Sequence, residues 1–195
     1  MDRIRVLVVG CGNMGSLHAR AYHALEGFQI AGLVGRDAAK NRELAANLGG
    51  CPVFSDFETG LRDTRPDAVS INTYPDTHAE YAIAAFRAGC HVFLEKPIAV
   101  TLPQAGEVLA AAGRAGKKLM VGYILHHNPV YGKFVEIGRT LGKPLVMRMN
   151  FNQQSVAEDW VTHKNLMKSA SPLVDCGVHY VDIMCRLTQA PPVRV

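Results

Sequence analysis

The sequence predicts an α/β fold built on a doubly wound parallel sheet, followed by the beginning of a second domain. Three observations support this prediction. An apolar strand at the start of the chain leads directly into a glycine-rich turn, strands and helices then alternate to about residue 122, and the pattern changes beyond that point. Alternation is typical of parallel sheets, because parallel strands are joined by crossovers that are usually helices.

The first strand, Ile4 to Val9, is followed at once by the run G-C-G-N-M-G at residues 10–15. In such a turn, Gly10 permits the tight bend, Gly12 lets the backbone approach phosphates, and Gly15 lets the next helix pack on its strand. The helix predicted from about residue 12 to 25 directs its N-terminal amides toward a diphosphate. This pattern favours a Rossmann domain whose dinucleotide contacts are Gly10, Gly12, Asn13, Met14 and Gly15. A different adenosine ligand, such as the cofactor of a methyltransferase, is the alternative.

The remaining elements continue the alternation. Strands are expected near residues 29–34, 67–71, 91–94 and 118–122, with helices near 38–48, 75–88 and 102–115. Residues 1–123 are therefore predicted to form the dinucleotide-binding domain. A helix near 129–140, a strand near 144–152, a polar loop and a helix near 172–187 follow, so residues 124–195 are predicted to begin a second, α+β domain. A lone strand at 144–152 would leave an unpaired edge and exposed apolar surface.

Composition excludes several classes of protein. The chain has 195 residues, of which 48% are hydrophobic and 19% charged, enough for one full core and part of another. No apolar run reaches the roughly 18 residues of a membrane span, and no signal peptide precedes the first strand, so we expect a soluble, cytoplasmic protein. The net charge of +4 is spread along the chain without a basic block, which argues against nucleic acid as a partner.

The cysteines point to neither a disulfide framework nor a metal site. There are five, an odd number, and none forms a C-x-x-C pair. Structural zinc sites and disulfide-rich scaffolds depend on such spacing or on paired cysteines. We therefore expect reduced thiols and no bound metal.

The end of the second predicted strand bears on the choice of cofactor. Gly35 stands about 20 residues past Gly15, where a carboxylate binds the ribose 2′-hydroxyl of NAD. Arg36 can pair with a 2′-phosphate, so the sequence favours NADP(H) over NAD(H). Two alternatives stay open: Asp37 could accept from the ribose or only cap a helix, and Arg36 could only cover adenine.

Two further runs lie where parallel strands end, which is where open α/β sheets bind their ligands. One extends from Asn72 to His78, and the other is Glu95-Lys96-Pro97. Farther along the chain, Val121-Gly122-Tyr123 leads to Asn128-Pro129, and Asp175-Cys176-Gly177-Val178-His179 precedes the last helix.

With the glycine loop, these runs resemble, in the same order, the motifs of the Gfo/Idh/MocA oxidoreductases, the family of glucose-fructose oxidoreductase and inositol 2-dehydrogenase. The resemblance covers essentially the whole chain. It implies an NAD(P)-dependent dehydrogenase or reductase that acts on a sugar, cyclitol or related polyol without a metal. It also implies a second domain with an open-faced antiparallel sheet, of which this truncated chain holds only the beginning, and a complete protein that forms homo-oligomers.

The resemblance also assigns residues to roles. Lys96 and His179 would act at the substrate carbon and hydroxyl, with Asp175 beside them. The cofactor and substrate cleft would be lined by Thr73, Tyr74, His78, Glu95 and Tyr123. Asp175 and His179 are four positions apart and would share one face of a helix. Gly177 between them costs about 1 kcal/mol in a helix interior, which suggests close approach of a neighbour or of the substrate.

The implied mechanism begins with neutral His179, which takes the hydroxyl proton as the general base while hydride passes to the nicotinamide. Lys96 would stabilise the developing alkoxide, and Asp175 would orient substrate hydroxyls. His126 and His127, where relatives often carry arginine or aromatic residues, are predicted to contact substrate hydroxyls or only to cap the turn before Asn128. Trp160, His163, Lys164 and Asn165 belong to the polar loop ahead of the last helix, which in the family borders the substrate. Trp160 and Lys164 are predicted substrate contacts, although Trp160 could instead only fill the domain junction. The alternative function is a non-catalytic NAD(P)-binding sensor or an inactive fragment of such an enzyme.

Overall fold

A computed structural model describes residues 3–142, 146–150, 156–168 and 171–193. The chain divides into two compact units, Met1–Val121 and Gly122–Val195. The six strands of the first unit form one parallel sheet in the order β3-β2-β1-β4-β5-β6. These strands are β1 (Ile4–Val9), β2 (Phe28–Val34), β3 (Val53–Phe54), β4 (Ala68–Ile71), β5 (His91–Leu94) and β6 (Leu119–Val121). The predicted doubly wound Rossmann sheet is confirmed.

Five α-helices connect these strands: α1 (Asn13–Ala24), α2 (Ala38–Asn47), α3 (Phe57–Thr64), α4 (His78–Arg87) and α5 (Leu102–Ala115). A 3₁₀ turn, Pro75–Thr77, precedes α4. Capping explains several of the boundaries. Asp37 caps α2, Asp56 caps α3, and Thr101 and Gln104 form a reciprocal capping box at the start of α5.

The core of the first unit lies on both faces of the sheet. Along β1, Leu7 and Val9 belong to one buried cluster, whereas Val6 and Val8 belong to the other. Successive strand residues point to opposite faces, so the buried apolar run Val6–Val9 requires cover on both sides. Helices supply that cover, with Phe86 of α4 among the largest fully buried side chains.

Two elements of the first unit do not follow from the sequence pattern. β3 has only two residues, which is too short for a period to show, and α3 follows it directly. The hydrogen bond from Thr59 N to Asp56 Oδ2, 2.7 Å long, fixes the start of α3. Gly60 lies where an added Cβ would stand 2.9 Å from Val34, so α3 packs closely on β2 through this glycine.

The described part of the second unit is helical. It contains a 3₁₀ turn at Ile124–His127, the helices α6 (Pro129–Gly138), α7 (Ala157–Leu166) and α8 (Val178–Thr188), and a π-helical turn at Leu173–Gly177. The polar loop predicted ahead of the last helix is wrong, because α7 occupies it. No glycine or proline occurs from residue 156 to 171, so nothing in that stretch interrupts a helix.

The strand predicted near 144–152 is not found in the part that is described. Residues 146–150 belong to no helix or strand, and the rest of that range lies outside the described residues, so the predicted open-faced antiparallel sheet is not shown. Several apolar side chains of this unit are exposed: Phe134 by 46%, Ile137 by 51% and Leu141 by 71%. They line a groove of about 310 Å³ together with Val146 and Leu187.

Two further findings concern the described residues only. None of the helices there combines the length and apolar character that crossing a membrane requires. Within the same residues no group of three or more His, Cys, Asp or Glu side chains is arranged to hold a metal ion. No disulfide joins the five cysteines, all of which lie in the described residues.

Candidate functional site

The glycine loop has the geometry that its sequence predicts. Gly10 has φ +84°, and a Cβ there would lie 2.7 Å from the carbonyl oxygen of Asn72. A Cβ on Gly15 would overlap the carbonyl oxygen of Gly10, whereas a Cβ on Gly12 would meet nothing within 4 Å. Gly10 and Gly15 are therefore required by the fold itself, while the open space at Gly12 leaves room for a ligand to approach the backbone.

This loop lies at the point where the strand order of the sheet reverses. β1 pairs with β2 on one side and with β4 on the other, and α1 begins directly after the loop. The N-cap of α1 is Gly12, and no side chain caps its first turn. An uncapped helix N-terminus at such a switch point presents amide donors and a positive dipole end, which is a site for a phosphate group.

Cys11 stands inside the glycine loop without adding charge to it. Burial, with a smaller effect from Cys51, raises the pKa of the Cys11 thiol to about 11, although a hydrogen bond to Val34 O lowers it. The thiol therefore stays protonated and donates to Val34 O, with Sγ and the oxygen 3.6 Å apart. No thiolate opposes an anion at this loop.

At the end of β2, packing excludes a side chain at position 35. A Cβ on Gly35 would lie 2.6 Å from Nδ2 of Asn41, which is 2% exposed. Nδ2 of Asn41 has no hydrogen-bond partner. Arg36 and Asp37 are exposed, and Asp37 Oδ1 accepts from the backbone N–H groups of Ala39 and Lys40 at 3.2 and 3.1 Å. Asp37 thus caps α2, as one of the two sequence interpretations held.

The run after β4 is held together by the side chain of His78, which is fully buried. Its Nδ1 lies 2.6 Å from the carbonyl oxygen of Pro97, and its Nε2 lies 3.1 Å from that of Thr73. A neutral imidazole donates to only one of these oxygens, and the shorter distance favours Pro97. Burial lowers the pKa of His78, although both carbonyl groups raise it. Tyr74, next to Thr73, is 37% exposed.

Glu95, at the end of β5, is almost completely buried and both of its carboxylate oxygens are engaged. Oε1 lies 2.8 Å from Nε2 of His18, and Oε2 accepts the backbone N–H of Lys96 at 3.1 Å. Burial raises the pKa of Glu95, but the hydrogen bond and charge of His18, followed by the Lys96 contacts, lower it below the ordinary value. Glu95 is therefore a carboxylate that joins α1 to the peptide of Lys96.

Sequence reasoning missed His18 and Asn41. His18 lies on α1, where a single histidine among polar and apolar residues gives no signal of its partner 77 positions away. Asn41 lies inside α2 and resembles an ordinary surface position of a helix. Its one sequence signal is the glycine at position 35, because a glycine in place of a larger residue indicates close approach of a neighbour.

In the second unit, Asp175 belongs to the π-helical turn and is 6% exposed. The turn that holds Asp175 is wider than an α-helical turn, and His179 lies just beyond it in the first turn of α8. Gly177 has the predicted close neighbour: a Cβ there would lie 2.6 Å from Cδ1 of Leu173. A β-carbon at position 177 would require the Leu173 side chain to move.

His179 follows in the first turn of α8 and is half-buried. The ring of Tyr123 meets that of His179 edge-on, with centroids 6.4 Å apart and an interplanar angle of 89°. Burial, and then the charge of Asp182, raises the pKa of Tyr123, so its hydroxyl stays protonated. Oδ2 of Asp182, a residue that belongs to none of the sequence motifs, lies 3.4 Å from Nδ1 of His126.

The other predicted substrate residues are at the surface of this unit. His126 and His127 are exposed in the 3₁₀ turn, with ring centroids 5.2 Å apart. Arg186 Nη1 donates to the carbonyl oxygen of His126 at 3.0 Å and so ties the turn to α8. Trp160, 49% exposed, and Lys164 lie on α7, as do the backbones of His163 and Asn165.

One cavity of the first unit lies away from the glycine loop. It measures about 530 Å³ and is lined by residues around Pro66 and Cys90, which precede β4 and β5. That is the amino-terminal edge of the sheet, whereas ligands of open α/β sheets bind at the carboxyl ends of the strands. The site is therefore assigned by the loop geometry and not by cavity size.

A glycine loop and an uncapped helix N-terminus at the switch point of a parallel sheet define the class of Rossmann dinucleotide-binding domains. Within that class, the Gfo/Idh/MocA family, described as an oxidoreductase family with an NAD-binding Rossmann fold, matches residues 4–123. The chain belongs to this family, as its motifs suggested.

Individual proteins that the chain is similar to are consistent with this family membership. The chain is 28% identical over 93% of its length to an inositol 2-dehydrogenase of Paracoccus denitrificans (strain Pd 1222), covering 53% of that protein. It is 30% identical over its whole length to a UDP-N-acetylglucosamine 3-dehydrogenase of Acidithiobacillus ferrooxidans, covering 58%. The structure of GenD2 from gentamicin A biosynthesis, in complex with NAD, matches with a TM-score of 0.82 and 25% identity, over 100% of this chain and 56% of that one. The chain spans little more than half the length of these proteins.

Proposed function

We propose that this chain is part of an NAD(P)-dependent oxidoreductase that transfers hydride between the nicotinamide and a secondary alcohol or carbonyl of a sugar, cyclitol or related polyol. The proposal rests on the geometry of the glycine loop. The space beside Gly12 is open, and the N-terminus of α1 has no capping side chain, so a diphosphate can approach the backbone amides. Family membership supports the redox chemistry.

The residues present fit a dinucleotide. The space that a Cβ of Gly12 would occupy is open, and the first turn of α1 has no capping side chain. Met14 is 42% exposed beside them, and Asn13 is exposed at the start of the helix. The diphosphate would be held by the amides of the loop and the first turn, as at other helix N-termini.

When bound, the nicotinamide would accept or donate the hydride, and no metal is required for that transfer. Lys96 would hydrogen-bond the reacting oxygen and stabilise its developing negative charge. Its backbone is fixed for this by the Glu95 carboxylate and by the neighbouring Pro97 carbonyl, which contacts His78. Thr73, Tyr74 and His78 would shape the cofactor side of the site, His78 through its carbonyl contacts.

His179 would take the hydroxyl proton as the general base, and Asp175 would orient substrate hydroxyls. The edge-on ring of Tyr123 limits the orientations that the His179 imidazole adopts. His126, held by Asp182 and Arg186, would present a polar ring to a polyol. His127, Trp160 and Lys164 are proposed as further substrate contacts because they are exposed.

For the cofactor we propose NADP(H) in preference to NAD(H). Asn41 fills the space beside Gly35, so the position that would carry a ribose-binding carboxylate has no room for one. Asp37 uses Oδ1 to cap α2, and Arg36 is exposed and available to a 2′-phosphate.

Paired titrations test the preference. Arg36→Ala is expected to weaken NADPH binding about tenfold or more and to leave NADH binding nearly unchanged. Gly35→Asp combined with Asn41→Ala, which makes room for the carboxylate, is expected to reverse the preference. NADPH binding that survives Arg36→Ala would contradict the assignment.

Hydride transfer tests the function itself. Reduced nicotinamide is followed with inositol, UDP-N-acetylglucosamine and a panel of simple sugars, in wild type and in Lys96→Ala and His179→Ala. We expect kcat to fall about 100- to 1,000-fold in each variant. The exposed-residue variants Lys118→Ala and His23→Ala serve as controls. Near-normal rates in both site variants would refute these roles, and binding without turnover in the wild type would favour the alternative, a non-catalytic sensor or an inactive fragment of such an enzyme.

The remaining expectations stay predictions from the sequence. They are a cytoplasmic location, a small-molecule substrate without nucleic-acid or membrane partners, and homo-oligomers of the complete protein. Size-exclusion chromatography with light scattering measures the last of these directly.

A further inference from the structure

The contact between His18 and Glu95 joins α1, the helix that follows the glycine loop, to the end of β5, where the predicted catalytic residue Lys96 lies. His18 lies on α1 three positions after Gly15, and its Nε2 is 2.8 Å from Oε1 of Glu95. The two side chains are only 19% and 9% exposed. A pair that is so well shielded from water is screened less than a surface ion pair, and each partner constrains the other more strongly.

The direction of this hydrogen bond follows from the chemistry of the partners. Ionised Glu95 only accepts, so Nε2 of His18 carries the proton and donates, in the neutral Nε2–H tautomer as well as in the imidazolium. The His18 ring also packs against Phe93 of β5, with centroids 4.7 Å apart. Phe93 in β5 and Glu95, the residue directly after β5, are two positions apart, and both contact the His18 ring.

The second oxygen of Glu95 transmits this contact to Lys96. Oε2 accepts the Lys96 N–H at 3.1 Å, and the backbone N–H of Glu95 donates to Ile71 O at 2.9 Å. The peptide that precedes Glu95 is thus held by β4, and the next peptide, which carries the Lys96 N–H, is held by the Glu95 carboxylate that α1 contacts through His18. Without His18, Glu95 would lose one partner and could rotate away from the peptide.

We propose that His18 is a positioning residue for Lys96 and acts through the Glu95 carboxylate, so that the helix that holds the diphosphate also fixes the lysine. This inference deepens the proposed function, and the expected effect on kcat rests on that function. The effect of His18 on the position of the Lys96 peptide does not depend on it.

Three substitutions at position 18 separate the hydrogen bond from packing. His18→Gln keeps a donor near the position of Nε2, His18→Leu removes it at similar size, and His18→Phe keeps the ring against Phe93 but cannot donate. Amide hydrogen exchange at Lys96 is measured in each, with Val8 in β1 as the internal control for an intact fold. We expect exchange at Lys96 to be about tenfold or more faster with Leu and Phe, and close to wild type with Gln.

Kinetics supply the second readout. These measurements use a form of the protein that catalyses hydride transfer. His18→Leu and His18→Phe are expected to lower kcat about 10- to 100-fold with little change in the KM for NAD(P)H. His18→Gln is expected to keep most of the wild-type kcat. Unchanged Lys96 exchange in Leu and Phe would overturn the proposal. Faster exchange with unchanged kcat would overturn its catalytic part. Failure of the wild type to bind NAD(P)H would count against the proposed function and leave the exchange result valid.

Discussion

Both units of this chain contain helices with apolar side chains, but these side chains are buried to different extents in the two units. In the first unit the helices pack on a six-stranded sheet, and residues such as Phe86 and Leu94 are almost completely buried. In the second unit the described residues include no strand, and Phe134 and Ile137 are about half exposed. An amphipathic helix gains stability only from the surface that covers its apolar face, so the sheet accounts for the difference.

Alanine in place of glycine should have opposite effects in the two units. A Cβ on Gly15 would overlap the Gly10 carbonyl oxygen, so Gly15→Ala is expected to destabilise the first unit by about 4 kcal/mol or more. A Cβ on Gly132, inside α6, would meet nothing within 4 Å, so Gly132→Ala should stabilise the second unit by about 0.5–1 kcal/mol.

Urea unfolding measures both changes. Trp160 is the single tryptophan and reports on the second unit by fluorescence, while amide exchange in β1 reports on the first. A stable Gly15→Ala protein would contradict the close packing of α1 on the loop.

A matched pair of phenylalanines tests the difference in burial. Phe86 is 2% exposed and Phe134 is 46% exposed. Phe86→Ala should cost about 3–5 kcal/mol, because it leaves a cavity in a closed core, and Phe134→Ala about 1 kcal/mol or less. Equal losses, measured by the same unfolding probes, would mean that Phe134 is covered in solution.

Helix caps should contribute equally in both units, because capping is local. Asp37 caps α2 in the first unit, and Asn128 Oδ1 accepts from Val130 N at 2.9 Å at the start of α6 in the second. Asp37→Ala and Asn128→Ala are each expected to cost about 1 kcal/mol. The conservative exchanges Asp37→Asn and Asn128→Asp should cost much less. A large inequality between the two alanine variants would show that packing around one cap adds to its effect.

The smallest expected effect is a pH dependence confined to the first unit. Burial holds the pKa of His78 below its ordinary value of 6.5. The unfolded chain therefore binds more protons than the folded one as the pH falls below that value, and stability decreases through this window. His78→Asn should flatten the decrease in thermal unfolding experiments, whereas the exposed-residue variant His23→Asn should not. An unchanged slope in His78→Asn would assign the dependence to other groups.

The sequence was most informative where one residue has one steric requirement. Gly10, Gly15 and Gly177 were each predicted to stand close to a neighbour or in a tight turn, and each does. The strands β1, β2, β4, β5 and β6 were also predicted, because continuous apolar runs between helices indicate buried parallel strands.

What the sequence did not show depends on long-range contacts or on weak local patterns. β3 is too short for a period, and α7 is polar enough to resemble a loop. The π-helical turn at Asp175 replaces the α-helical spacing that residue counting assumes. His18 and Asn41 gain their significance only from Glu95 and Gly35, which lie beside them in the fold and not in the sequence.

The proposed function depends first on the binding of a dinucleotide at the glycine loop of the first unit. The most direct test is a parallel fluorescence titration of NADH and NADPH against the wild-type chain and Gly12→Ala, whose added methyl group meets no protein atom within 4 Å. We expect the wild type to bind both with NADPH preferred, and Gly12→Ala to keep wild-type stability while binding at least about tenfold more weakly. A folded wild-type chain that binds neither nucleotide, or a Gly12→Ala chain that binds as tightly as the wild type, would contradict the binding of a dinucleotide at this loop.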